Sequence, residues 1–117
     1  MFINLTNHPS TEWSEEQLDA ARQYGEIVDI PFPMIEPERT KADIMRSVKV
    51  YVEMIMGLKA DETVIHVMGE MTFTHNLVNA MKAQGITCVA STTERNTIIT
   101  PDGKKVSEFK FVQFREY

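Results

Sequence analysis

Short apolar runs alternate with helix-forming segments from the first residues to about residue 90, and this alternation constrains the fold more than any other feature. The predicted strands are 2–5, 26–30, 62–68 and 86–90. The predicted helices lie between them, at 15–24, from 40 to about 58, and from a cap at Thr72 or Thr74 to Gly85. Strands that alternate with helices form βαβ units, so we expect a parallel sheet.

The pattern changes after residue 90. Residues 97–100, a Pro-Asp-Gly turn at 101–103 and the alternating Phe109, Phe111 and Phe114 predict a β-hairpin. We expect the three rings to pack the hairpin onto the sheet and a dimer partner; a stacking platform for bases is the alternative. The predicted fold is α/β: one Rossmann-like domain over 1–117, with a doubly wound, mainly parallel sheet and a C-terminal antiparallel hairpin.

Charge narrows the range of ligands. The 12 Lys and Arg against 17 Asp and Glu give a net charge of −5, which argues against binding long DNA or RNA through a broad basic face. Residues 1–90 hold 13 acids and 7 bases, net −6, whereas residues 91–117 hold 4 acids and 5 bases, net +1. An anionic ligand would therefore need a local pocket.

Cysteine and histidine usage predicts neither a disulfide nor a metal site. The one cysteine, Cys88, has no partner in the chain, and the histidines lack zinc-type spacing, so no metal and no cofactor are expected. The chain shows no signal-peptide pattern and no apolar run long enough to cross a membrane. These features predict a cytoplasmic protein without a membrane partner.

Parallel sheets bind ligands beyond the carboxyl ends of their strands, where the strand order reverses. That rule selects four predicted loops: 6–9, 31–33, 69–72 and 91–95. The last loop joins three hydroxyl side chains to Arg95, donors that suit phosphate or sugar; a polar turn with Arg95 paired to Glu94 or Glu70 is the alternative.

The other loops carry weaker signals. Gly69 would let a ligand approach the backbone and the N–H groups of the next helix, or would only form a tight turn. Glu70 would orient a ribose hydroxyl or occupy the first helical turn. His8 is a possible general base on a ligand-facing loop, although exposed turn histidines are commoner. We expect His66 in the core, and no hydrolase triad emerges.

Several of these segments together resemble a known family, the small CRISPR-associated proteins of the ring-nuclease kind, which are relatives of the CARF domain and recognise cyclic oligoadenylates. The segments that carry the resemblance are Gly69-Glu70, Leu77-Val78-Asn79, residues 91–95 (Ser-Thr-Thr-Glu-Arg), and the end of the chain, with Phe109 and residues 111–117 (Phe-Val-Gln-Phe-Arg-Glu-Tyr). They cover roughly the last fifty residues, and the first strand with Asn7 and His8 also fits.

The resemblance implies a homodimer whose two-fold cleft holds a ring of adenylates, with cyclic tetra-adenylate favoured. It also implies metal-independent cleavage, in which a ribose 2′-hydroxyl attacks the adjacent phosphate. The implied catalytic residues are Arg95, Thr93 and His8, with Arg95 on the phosphate and His8 as base. The implied ligand-binding residues are Asn7, Gly69, Glu70, Thr72, Ser91, Thr92 and Arg115.

Two other functions remain open from the sequence. A non-catalytic sensor or sponge would bind the same ring without cutting it, since the attacking hydroxyl belongs to the substrate. A structural homodimer would bind another nucleotide-like anion.

Overall fold

The computed structural model describes residues 1–117 as five strands and three α-helices. In chain order the elements are β1 (Phe2–Thr6), α1 (Glu15–Arg22), β2 (Ile27–Asp29), α2 (Lys41–Leu58), β3 (Val64–Met68), α3 (Met71–Ala83), β4 (Thr87–Ile99) and β5 (Lys105–Glu116). A single 3₁₀ turn, Ser10–Glu12, precedes α1. The predicted alternation of strands and helices is confirmed.

The strands form one mixed sheet in the order β2-β1-β3-β4-β5. The pairs β1–β2, β1–β3 and β3–β4 are parallel, and β4–β5 is antiparallel. The predicted α/β class, with a mainly parallel sheet and a C-terminal antiparallel hairpin at its edge, is therefore confirmed. The chain runs from β1 outward to β2 and returns to β3 on the other side of β1, so the strand order reverses between β1 and β3.

The apolar side chains of the sheet belong to two clusters. Ile3, Leu5, Ile65 and Val67 join the larger cluster with α2 and α3 residues. Phe2 and Val89 join Ala21 of α1 in the smaller cluster, with Trp13 and Phe114 at its margin. Because successive side chains of a strand point to opposite faces, the two clusters lie on opposite faces of the sheet.

Local signals explain where the helices begin. The Ser14 hydroxyl accepts a hydrogen bond from the Gln17 amide, and Thr40 with Asp43 forms a complete capping box at α2. The expected cap of α3 at Thr72 or Thr74 is wrong, because Glu70 caps that helix and Met71 begins it. Helix α1 ends at Arg22, two residues before the expected Tyr24, and Gly25 follows with a φ of 119°.

The hairpin is much longer than predicted. Residues 91–95, expected as a loop, lie inside β4, and the two strands stay paired from Val89–Glu116 to Ile99–Lys105. Residues 93–111 form a two-stranded ribbon, which we call the arm. The radius of gyration is 16.0 Å, against about 13 Å for a compact chain of this length.

One bulge separates the arm from the rest of the sheet. Thr92 pairs with Gln113 but Thr93 pairs with Phe111, so Val112 is an extra residue in β5. In a regular strand, residues three apart point to opposite faces. The extra residue at the bulge instead places Phe111 and Phe114 on the same face of β5. Their rings meet there with centroids 4.9 Å apart.

No helix of this chain is both long and apolar enough to cross a membrane.

Candidate functional site

A cleft lies at the carboxyl ends of β1 and β3, where the strand order reverses, and extends along β4 as far as Asn96. Its volume is about 970 Å³. Thr6, Met68 and Ser91 lie at its base, the start of α1 forms one wall, and the arm forms the other. A cleft of this size holds a ligand of nucleotide size or larger.

The cleft brings together five of the predicted site residues. Three predicted loops contribute to its lining, with Asn7 and His8 from the first, Gly69 from the third, and Ser91 and Thr93 from the fourth. None of the predicted loop 31–33 lines it.

Aromatic and charged side chains complete the lining. The aromatic ones are Trp13, Phe109 and Phe111, together with the rings of His8 and His66. The carboxylates are Glu12, Glu16 and Glu108, and the one lysine is Lys110. The cleft of a single chain therefore offers surfaces for stacking bases but more carboxylates than cations.

A buried polar network supports the base of the cleft. Asn4 is 1% exposed, and its Nδ2 donates to Asp29 Oδ1 at 2.8 Å and to the His8 carbonyl at 2.9 Å. Asn4 Oδ1 lies 3.0 Å from the Thr6 hydroxyl and 3.1 Å from His66 Nδ1. Since every polar atom of the Asn4 amide has a partner, this buried side chain ties β1 to β2 and β3 without an unpaired group.

Asp29 extends the network to the loop before α1. Its carboxylate accepts from the Ser10 amide at 3.1 Å and from the Ser10 hydroxyl at 2.7 Å. Desolvation raises the pKa of Asp29, but the hydrogen bonds from Asn4 and Ser10 outweigh it and hold the pKa below its usual value. Asp29 is therefore ionised at neutral pH and anchors the loop.

The backbone of His8 is fixed while its side chain is exposed to the cleft. The His8 carbonyl lies within hydrogen-bond distance of Asn4 Nδ2, of the Thr6 hydroxyl at 3.1 Å and of Trp13 Nε1 at 3.1 Å. The His8 amide in turn donates to the Thr6 hydroxyl. The loop therefore holds His8, an exposed residue of the cleft lining, in a fixed place after β1, which suits contact with a ligand.

His66 is buried, as expected, but it also reaches the cleft. It is 2% exposed, lies among the rings of Phe2, Trp13 and Phe114, and its Nε2 has no hydrogen-bond partner. Because Asn4 Oδ1 is an acceptor, Nδ1 carries the proton and Nε2 keeps its lone pair. Burial lowers the pKa of His66 to about 4, so the ring is neutral at pH 7.

Glu70 occupies the N-terminus of α3. Its two carboxylate oxygens accept hydrogen bonds from the Thr72 amide at 3.0 Å and the Phe73 amide at 2.8 Å, and the Thr72 hydroxyl bonds to both. These bonds lower the pKa of Glu70. The N–H groups that we expected to receive a ligand anion therefore already bind the carboxylate of the chain itself.

Gly69 is explained by a neighbouring ring. A Cβ at this position would lie 2.3 Å from the Phe32 ring, which in turn packs edge-on against Phe73. The absence of a side chain at Gly69 thus admits Phe32 of the 31–33 segment.

The remaining predicted site residues lie outside the cleft lining. Arg95 is exposed on the arm, where its guanidinium donates to the Ser107 hydroxyl and lies 5.9 Å from the Phe109 ring centroid. The Thr92 hydroxyl donates to the Gln113 carbonyl across the hairpin. Arg115 is exposed opposite Ala90 and forms no ion pair, and neither Glu70 nor Thr72 reaches the cleft.

Sequence reasoning missed Asn4, Asp29 and Ser10. The available signal was Asn4 itself, because asparagine is uncommon inside strands and one among apolar neighbours must be hydrogen-bonded. It also missed that Tyr117 is anchored, with its hydroxyl donating to the Val67 carbonyl at 2.6 Å. No group of three or more His, Cys, Asp or Glu side chains is arranged to hold a metal ion.

The comparisons with known proteins identify one family. No curated protein and no solved structure matches the chain. One family model matches residues 1–115, nearly the whole sequence. The chain therefore belongs to the uncharacterized protein MJ1673 family.

Proposed function

We propose that the chain is a ring nuclease that binds a cyclic oligoadenylate, with cyclic tetra-adenylate favoured, in the cleft at the strand ends and cleaves it without a metal. The observation that carries this proposal is the convergence of three predicted loops, through Asn7, His8, Gly69, Ser91 and Thr93, on one cleft of about 970 Å³. The resemblance of the same segments to CRISPR-associated ring nucleases indicates that the ligand is a cyclic oligoadenylate.

The lining suits the chemistry of a nucleotide ring. Trp13, Phe109 and Phe111 present aromatic surfaces on which bases can stack. The hydroxyls of Ser91 and Thr93 are hydrogen-bond donors for phosphate or ribose oxygens. Both kinds of group line the same cleft, as a ligand that alternates bases with phosphates requires.

The proposed reaction uses a nucleophile from the ligand. A ribose 2′-oxygen bonds to the adjacent phosphorus while the bond from phosphorus to the 5′-oxygen breaks, leaving a 2′,3′-cyclic phosphate and a 5′-hydroxyl. His8 accepts the proton of the 2′-hydroxyl, and the 5′-oxygen takes up a proton as it leaves. Thr93 and Arg95 stabilise the charge that develops on the phosphate.

A homodimer is part of the proposal because the cleft of one chain has more carboxylates than cations. Three carboxylates and one lysine line the cleft of a single chain, and a phosphate ligand would be repelled by that balance. Arg95 and Arg115 are exposed and have no carboxylate partner, so a second copy can bring them to the ligand.

The finer description of the fold is also a proposal. Strand order β2-β1-β3-β4, with apolar clusters on both faces, supports a doubly wound, Rossmann-like domain of the CARF kind that spans 1–117. A cytoplasmic location fits a messenger made inside the cell and a buried, unpaired Cys88.

The test is incubation with cyclic tetra-adenylate in EDTA, followed by chromatography. We expect linear products that end in a 2′,3′-cyclic phosphate. Thr93→Val and Arg95→Ala should each slow turnover, by about 10²-fold for a donor to the transition state. Thr97→Val and Lys105→Ala are matched controls on the same hairpin, outside the cleft lining. Absence of both binding and turnover would contradict the proposal.

The position of Arg95 favours one alternative, a sensor or sponge that binds the ring intact. Within one chain Arg95 contacts Ser107 and Phe109 rather than lining the cleft, so the stabilising cation of the proposed reaction depends on a second copy. Tight binding of intact ligand with no product over hours would select this alternative.

A further inference from the structure

The outer edge of the arm leaves the backbone hydrogen-bonding groups of an edge strand without a partner strand. Strand β5 ends the sheet, so one side of its 12-residue backbone has no neighbouring strand. It contains neither proline nor glycine, and the opposite edge of the sheet, β2, has only three residues. Proteins usually shorten or block such edges, because a long free strand pairs with another chain.

The arm also lacks support of its own. Residues 101–110 are all exposed, and Phe109 and Ile99 are 67% and 69% exposed. A two-stranded ribbon is marginally stable in water and gains stability from a further strand.

We propose that a second copy of this chain covers the edge, with the two β5 strands pairing antiparallel about a two-fold axis at Phe109. In that register Phe109 lies opposite Phe109 of the second copy, and Glu108 lies opposite Lys110 of the second copy. Symmetry repeats the ion pair, and Val106 lies opposite Val112, both of which are exposed.

Charge complementarity selects both the occupant and the register. Opposite charges that face each other across antiparallel strands stabilise pairing, and like charges oppose it. An axis at Glu108 would place two glutamates together, and an axis at Lys110 would place two lysines together. Of these three axes, only the one at Phe109 places Glu108 opposite Lys110, which is the self-complementarity that a two-fold contact requires.

Pairing of this kind closes after two copies, because it uses both β5 edges and leaves the short β2 strands outside. The paired β5 edges would be the interface of the homodimer in the proposed function. Its connection with the ligand rests on that function, whereas the pairing itself does not.

Charge reversal tests the pairing without any ligand. Glu108→Lys places lysine opposite lysine at both symmetric positions, and Lys110→Glu places glutamate opposite glutamate. Each variant alone should weaken the dimer about tenfold or more, as measured by light scattering after size exclusion across a dilution series. An equal mixture of the two should regain wild-type dimerisation, because every facing pair is then opposite in charge.

The matched control is Lys105→Glu, which changes the same strand but faces Gln113 of the second copy and should leave dimerisation unchanged. A wild-type protein that is monomeric at every concentration, or single variants that dimerise as well as wild type, would overturn the proposal. Binding and cleavage of cyclic tetra-adenylate by the wild type are measured separately and keep the two proposals distinct. A wild type that pairs at this edge but neither binds nor cleaves the ring would contradict the proposed function and leave the pairing intact.

A disulfide test fixes the register. Directly opposite residues of antiparallel strands have Cα atoms about 4.5–5.5 Å apart, which permits a disulfide. Phe109→Cys should therefore form a covalent dimer on mild oxidation, seen on a non-reducing gel. Val106→Cys should not, because its two copies would be roughly 20 Å apart along the strands. The reverse pattern would overturn the register, and the buried Cys88 is present equally in both variants.

Discussion

The base of the cleft and the arm differ in whether their side chains have partners within the chain. At the base, the 1% exposed Asn4 has partners on β2, β3 and the His8 loop, all within the chain. On the arm, Arg95 contacts only its own hairpin, and Ile98, Ile99 and Phe109 remain exposed. The difference indicates that the base is a fixed scaffold, whereas the arm is shaped for something outside the chain.

The largest effect on stability should come from removing Asn4. Asn4→Ala leaves the buried Nδ1–H of His66 without an acceptor and takes one donor from Asp29. We expect a loss of about 3–4 kcal/mol in the free energy of unfolding, measured by urea denaturation. A loss below about 1 kcal/mol would mean that the network does not support the fold.

The next effect is a pH dependence from His66. Its pKa is lowered from 6.5 to about 4 in the folded chain, so the unfolded chain takes up the proton first as pH falls. The contribution of neutral His66 to the free energy of unfolding is complete above pH 6.5. It is lost as the pH falls toward 4, and the total loss is about 3 kcal/mol.

The comparison of variants isolates that contribution. Between pH 6.5 and 4, the stability of His66→Gln should fall less steeply than that of wild type, as followed by chemical denaturation at each pH. His75→Gln is the control, because His75 is exposed on α3 and should leave the slope unchanged. Equal slopes for wild type and His66→Gln would refute the assignment.

A smaller effect should follow from filling the space beside Phe32. Gly69→Ala places a methyl group 2.3 Å from that ring, and we expect a loss of about 1–2 kcal/mol from the displaced side chain. The double variant with Phe32→Leu should be less destabilised than the sum of the single variants. Strict additivity in a double-mutant cycle would show that the two positions do not interact.

The smallest effect should come from the arm. Ile98→Ser removes a half-exposed side chain near the tip, and we expect a change of about 0.5 kcal/mol or less in the unfolding of dilute protein. A loss as large as that of Asn4→Ala would contradict the contrast between base and arm.

Periodicity predicted the parts of the fold that local sequence determines. Strand β3 and the starts of α1 at Glu15 and of α2 at Lys41 lie within two residues of their predicted positions. The absence of apolar residues at 91–95 predicts a loop, yet β5 pairs with each of these residues and extends the strand. Threonine favours strands, and this preference was the available signal.

The site could be predicted only in part. The strand-end rule accounts for Asn7, His8 and Gly69, which follow β1 and β3 and line the cleft, because that rule follows from topology. Ser91 and Thr93 also line the cleft, but from inside β4. It could not show that Glu70 binds its own helix, or that Arg95 extends along the arm. Both depend on side-chain partners that form only when the chain has folded.

The bulge at Val112 decides which side chains of β5 form a wall of the cleft. A deletion of Val112 would make β5 regular and leave Phe111 opposite Thr93, two positions from Phe114 and on the same face. If Val112 were kept and paired with Thr93 without a bulge, Phe111 would move opposite Glu94 and point to the face away from Phe114, and Phe109 would turn with it. A related chain can therefore lose Val112 together with the bulge and keep this wall, whereas losing the bulge alone inverts it.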